Sequence, residues 1–122
     1  NTTGAGQSRT ATAAVNAAVT FNLSVQNDGN VDDQFRLRGQ AESSGYRVRY
    51  SRTDTGENVT AAVTAGTFTT PAVAPGGSFK LRAVVTVLAG AAPGSSITRT
   101  LTATSVGYPS DKDTVAFTVR RA

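Results

Sequence analysis

The feature that most constrains this chain is an alternation of period two that restarts after each cluster of turn residues. From Val19 to Asn27, the residues Val19, Phe21, Leu23 and Val25 fall on one side, and Thr20, Asn22, Ser24 and Gln26 on the other. An extended strand sends successive side chains to opposite faces, so this spacing makes one apolar and one polar face. The same pattern sets Phe35 and Leu37 against Gln34, Arg36 and Arg38 in Asp33–Gly39. It sets Tyr46, Val48 and Tyr50 against Arg47 and Arg49 in Tyr46–Ser51. It aligns Phe79, Leu81, Ala83, Val85 and Val87 in a long central strand, and Val115, Phe117 and Val119 in Thr114–Arg120. Arg9–Val15 is a weaker strand on Ala11, Ala13 and Val15, and Ile97–Val106 is a Thr-rich one. Thr67–Val73 reads as an edge strand, because Pro71 has no amide to give a ladder. Asn58–Val63 fits either a short strand or a single helical turn.

Between these runs stand Asn27-Asp28-Gly29-Asn30, Ala74-Pro75-Gly76-Gly77-Ser78, Ala92-Pro93-Gly94-Ser95-Ser96 and Gly107–Asp111. Asn, Asp and Gly tolerate positive φ and Pro presets a turn, so each cluster reverses the chain. About seven or eight strands at roughly ten-residue spacing predict an all-β, immunoglobulin-like β-sandwich of antiparallel strands, with a small closed β-barrel as the alternative. The expected core is Phe21, Leu23, Val25, Phe35, Leu37, Val48, Phe79, Leu81, Val85, Leu101, Val115 and Phe117. Residues 1–8 read as a linker or N-terminal arm and 9–122 as one domain. In a fibre subunit, a polar N-terminal arm from Asn1 to Thr12 could add a strand to the edge of an adjacent subunit, a role that the small alternating Ala11, Ala13 and Val15 fit; the plainer reading is that this segment is the domain's own first strand.

Composition removes most chemistry. There is no Cys, His, Met or Trp. Thiolate nucleophiles, disulfides, catalytic triads and sulfur- or imidazole-ligated metals are excluded with them. The eight Asp and Glu residues lie mostly in turns, and no pair is placed to face a shared cleft as glycoside hydrolysis requires. The expectation is that the chain is not an enzyme. The lack of a starting Met predicts a processed or internal piece of a longer product. No run of about 18 apolar residues is present, so no spanning helix is expected. Net charge is +4 and ten of the twelve basic residues are Arg. That excess is small for a nucleic-acid binder, and none is expected. Thr recurs nineteen times, which suits half-buried pleated surfaces.

The run Phe21–Asn30 followed by Asp33-Gln34-Phe35 resembles the hairpin of bacterial extracellular Ig-like repeats. These are the CARDB-like type and the Ig-like domains associated with α-galactosidases. Gly45-Tyr46, Ala65-Gly66-Thr67-Phe68, Pro75–Ser78, Ala92–Ser95, Ala103-Thr104-Ser105 and Asp113-Thr114-Val115 are similar in order. The resemblance covers about Gln7 to Val119 and implies a non-catalytic structural module, secreted or at the cell surface. Such a module would serve as spacer, adhesive stalk repeat or self-assembling fibre subunit. Its implied partners are neighbouring Ig-like domains or copies of itself.

Two clusters could carry a binding role. Arg36, Arg38, Arg47 and Arg49 alternate outward on consecutive strands, with Arg52 just beyond. If those strands share a sheet they form a positive stripe, suited to an acidic polysaccharide or an acidic partner through guanidinium forks. The competing reading is exposed charge that keeps strand edges from pairing. Asp28, Asn30, Asp32 and Asp33, beside Asn27, crowd oxygens into the first turn. Calcium takes about six to eight oxygens, so it would need ligands from elsewhere; the simpler reading is a turn whose side chains cap their own backbone. No cofactor is otherwise expected. Tyr108, beside Pro109, is the aromatic expected to stay exposed, with Tyr46 and Tyr50 buried. Lys80 and Lys112 read as solvated.

Overall fold

The computed structural model describes residues 8–27, 29–43, 45–108 and 112–122. In chain order the elements are β1 (Ser8–Ala13), β2 (Ala18–Gln26), β3 (Phe35–Gly39), β4 (Tyr46–Arg52), α1 (Thr60–Ala65), β5 (Phe68–Thr69), β6 (Ser78–Val87), β7 (Ser96–Ser105) and β8 (Lys112–Arg121). They form two sheets, ordered β1-β8-β7-β3-β5 and β2-β6-β4. The sheets do not close into a barrel, and the fold is an immunoglobulin-like sandwich.

The period-two runs became the strands, with their apolar phase inside. Phe21, Leu23 and Val25 of β2 are buried while Asn22, Ser24 and Gln26 are exposed. β6 is the centre of the three-stranded sheet, running antiparallel to β2 and to β4. Leu81, Ala83, Val85 and Val87 are fully buried there. Between the sheets, Phe117 meets Phe21 at 5.2 Å and Tyr50 edge-on at 6.4 Å between ring centroids. Such tilted and edge-to-face aromatic pairs contribute beyond the area they bury. Val115 departs from the expected core: it lies one residue short of the point where β1 begins to flank β8, and is half-buried. Val59, Val63, Val73, Ile97 and Val119 are buried in addition.

Asn58–Val63 resolves into a bridge followed by a helical turn. Asn58 bridges Ser51. The Asn58 Oδ1 then accepts from the Thr60 amide at 3.0 Å and opens α1. Gly66, at φ 76, ends it in the left-handed region that favours glycine, and its amide donates to the Val63 carbonyl at 3.1 Å. α1 lies against β3 and β4 and seats Val63 in the core. The edge strand expected over Thr67–Val73 shrinks to the two residues of β5. It stops at Thr70, whose buried Oγ1 accepts from the Phe35 amide at 3.1 Å before Pro71 ends the ladder.

Not every pair is antiparallel. β1 runs parallel to β8, with Ser8 opposite Ala116 and Ala13 opposite Arg121. Ala11 and Ala13, read as a candidate arm for another subunit, thus belong to the domain's own first strand. That strand begins at Ser8, inside the expected linker; residues 1–7 lie outside the described chain. The partner was not legible because parallel pairing joins the two most distant parts of the sequence and leaves no local signature.

Candidate functional site

The Arg stripe separates in the fold. β3 belongs to the five-stranded sheet and β4 to the three-stranded one. Arg36 and Arg38 are therefore on the outer face of one sheet, and Arg47 and Arg49 on that of the other, all four exposed. The single stripe is corrected to two faces. The reason is topological: β3 and β4 are joined by a connection between sheets and share no ladder. Arg52 is removed from any such surface by its own contacts. Its Nε and Nη2 donate to the two Asp54 carboxylate oxygens at 3.0 and 2.8 Å, and its guanidinium lies 5.5 Å from the Phe79 ring centroid. That fork holds the Asp54 carboxyl below the usual carboxylate range and pushes the Arg52 guanidinium up.

The three-stranded sheet gathers a different cationic set. The ladder places Arg47 across from Thr86, Arg49 across from Val84, and Ser51 across from Arg82. Lys80 follows, opposite Ser24 on β2. Arg47, Arg49, Arg82 and Lys80 thus share one outer face, with neighbouring strands about 4.8 Å apart. Among the described residues the acid paired to this face is Glu42, 3.3 Å from Arg49. Arg82 was missed from the sequence, yet the signal was present: it holds the outward phase of β6, as Lys80 does. What was absent was the knowledge that β6 lies beside β4.

The acidic turn is a fastener. Asn27 is buried, and its Nδ2 donates to the carbonyls of Val31 at 2.8 Å and Val73 at 2.7 Å, while its Oδ1 accepts from the Gly29 amide at 2.9 Å. Asp33 accepts from the Ser105 hydroxyl, from the Gly107 amide at 3.1 Å and from the Gln34 amide at 2.8 Å. These donors, the Ser105 hydroxyl first, hold its carboxyl below the usual range. Ser105 is buried in turn, and its Oγ accepts from the Tyr108 amide at 2.9 Å. The Asp33 and Asn27 oxygens considered for calcium are thereby occupied by donors of their own chain. Asn30 and Asp32 are exposed, and Asp28 lies outside the described residues.

Around this fastener the β2–β3 and β7–β8 connections form one end of the sandwich. Val31, Val106 and Tyr108, at 57%, 46% and 63% exposure, are the exposed large hydrophobics among the described residues, and all three lie at that end. Tyr108 is the exposed aromatic, as expected, while Tyr46 and Tyr50 are buried. Lys80 and Lys112 are both exposed.

No family model matches the chain, and no curated protein matches it. Among solved structures, the chain superposes on the CupB6 tip adhesin from Pseudomonas aeruginosa with a TM-score of 0.55 and 12% identity, over 95% of this chain and 38% of the adhesin. A family 123 glycoside hydrolase from Clostridium perfringens gives 0.51 and 6%, over 95% of this chain and 23% of the enzyme. PapD-like domain 7 of human CEP192 gives 0.49 and 16%, over 94% and 79%. The likeness is one of fold, and the chain spans well under half of the adhesin and of the hydrolase.

Proposed function

We propose that this chain is a non-catalytic structural module of a bacterial secreted or cell-surface protein, acting as a spacer or adhesive repeat that carries load and packs against its neighbours. The observation that supports this reading is the parallel β1–β8 pair. Force applied to the chain ends pulls β1 toward its N-terminus and β8 toward its C-terminus. Because the two strands are parallel, those pulls slide them past each other along their axes. The six-residue ladder from Ser8–Ala116 to Ala13–Arg121 then resists as a set. An antiparallel terminal pair would instead peel bond by bond. The tip-adhesin likeness is compatible with this role. Forced unfolding is governed by the unfolding barrier, so single-molecule pulling of a concatemer tests it directly. The expected result is a high, uniform unfolding force that drops sharply in Thr10→Pro or Ala11→Pro, whichever amide faces β8. Unchanged force in both variants would remove the load-bearing reading.

A second reading is an accessory module that takes an acidic glycan. It rests on Arg47, Arg49, Arg82 and Lys80 sharing one face with little acidic compensation. Retention on a sulfated polysaccharide column should fall with salt and with Arg47→Ala plus Arg82→Ala, but not with Arg36→Ala on the opposite face. Equal loss from Arg36→Ala would assign retention to net charge alone.

A further inference from the structure

We infer that the Asp33 end of the sandwich is a docking surface for the opposite, Arg120–Arg121 end of a second copy, so that copies stack head to tail along the strand direction. The inference deepens the structural reading above and rests on it.

At the first end, Val31, Val106 and Tyr108 present apolar surface on a rigid support. The Val106 amide donates to the Gln34 carbonyl at 2.9 Å, and Asp33 and Ser105 hold the amides of Gly107 and Tyr108. Beside them is an open hollow of about 260 Å³ lined by Asp32, Asp33, Gln34, Ala72, Val106 and Gly107. Asp33 is occupied within it, whereas the exposed Asp32 has no ion-pair partner among the described residues. Clustered exposed apolar side chains with an unpaired acid at their edge match the apolar core and charged rim of an interface.

At the other end the exposed charge of β8 is Arg120. The Arg121 amide donates to the Ser95 carbonyl at 2.9 Å and the Ala122 amide to the Ala13 carbonyl at 2.9 Å, so these two residues are held against the β6–β7 connection and the end of β1. Arg120 is exposed and Arg121 keeps a buried Nε with no hydrogen-bond partner. Glu42, the acid at this end among the described residues, is occupied by Arg49 at 3.3 Å. One end therefore offers the exposed Asp32 carboxylate beside apolar side chains, with the exposed Lys112 at the start of β8, and the other offers the exposed Arg120 guanidinium. A contact joining them uses different patches on the two copies, so it cannot close on itself as a twofold dimer does. It continues into a linear stack.

The test is sedimentation velocity on the whole chain over a wide concentration range. Wild type should self-associate, and association should weaken at least about tenfold in Asp32→Arg and in Arg120→Asp, because each sets like charges across the contact. An equimolar mixture of the two variants should associate again as an alternating stack, since each contact between unlike variants pairs opposite charges. Misfolding cannot produce that rescue. Val106→Ser with Tyr108→Ser should abolish association in wild type and in the mixture. Wild type that remains monomeric throughout would overturn the inference, while the pulling experiment would still decide the load-bearing reading. Association untouched by either charge reversal would also overturn it, leaving self-packing intact but through another surface.

Discussion

Tyr50 and Gly39 share one space: a Cβ on Gly39 would come within 2.7 Å of both the ring Cζ and the hydroxyl oxygen of Tyr50. The two residues belong to different sheets. The Tyr50 hydroxyl passes this point to donate to the Gln40 carbonyl at 2.9 Å. Because Tyr50 is fully buried, its ring has nowhere to retreat. Gly39→Ala should therefore cost about 1–3 kcal/mol as overpacking. Tyr50→Phe, which only removes the hydrogen bond, should cost about 1 kcal/mol. Urea midpoints compared at constant slope would separate the two; a neutral Gly39→Ala would mean the sheets can part there freely.

The same hydroxyl makes the fold sensitive to alkali. Burial pushes it up to about 12. In the unfolded chain it ionises near 10. Its contribution is complete below the unfolded value and is lost as pH rises through the folded one. Stability should fall between about pH 10 and pH 12, and Tyr50→Phe should flatten that part of the profile. An alkaline slope identical in wild type and variant would assign it to other groups.

Asp33 sets the opposite limit. Its folded carboxyl lies below the ordinary range, so its contribution is present above the unfolded value near 3.9 and is lost as pH falls through the lower folded one. Asp33→Ala should cost about 1–3 kcal/mol at neutral pH by leaving the buried Ser105 hydroxyl and two amides short of an acceptor. It should also reduce the loss of stability below about pH 4. Thermal melts from pH 3 to 7 would check both.

Asn27→Ala should cost about 1–3 kcal/mol, because the Val73 carbonyl loses a donor in a buried place and the Val31 carbonyl loses one in a part-buried place. Amide exchange would show where the effect falls. Faster exchange confined to the Asn27–Gln34 and Thr70–Gly77 connections is expected; uniform acceleration would point to a global role for this residue.

The strands were legible because their signal is local. Phe21-Asn22-Leu23-Ser24-Val25 declares its buried face in five residues, whatever it packs against. Ala74–Ser78 likewise declares its turn, in which the Gly77 amide meets the Ala74 carbonyl at 2.8 Å. Sheet membership is not local. Nothing in Phe35–Gly39 or Tyr46–Arg52 says that the two strands part company, and the Arg stripe was divided by that fact. Asp33 illustrates a third case. Its position in an acidic cluster was visible, but its use depends on Ser105, 72 residues away. Composition gathers the oxygens in one turn, whereas long-range hydrogen bonding decides which donors Asp33 accepts from.

The β1–β8 pairing also sets an order of events during synthesis. Within the sandwich β1 is made before the other described strands, and β8, its ladder partner among the described residues, is made after them. Until Lys112–Arg121 is available, β7 lacks one neighbour and β1 has none. Closing the fold must therefore wait for the most distant contact in the chain, the kind that topology makes slow. A nascent or translocating chain therefore leaves this sandwich unlocked until β8 has emerged, and the five-stranded sheet is completed by that strand.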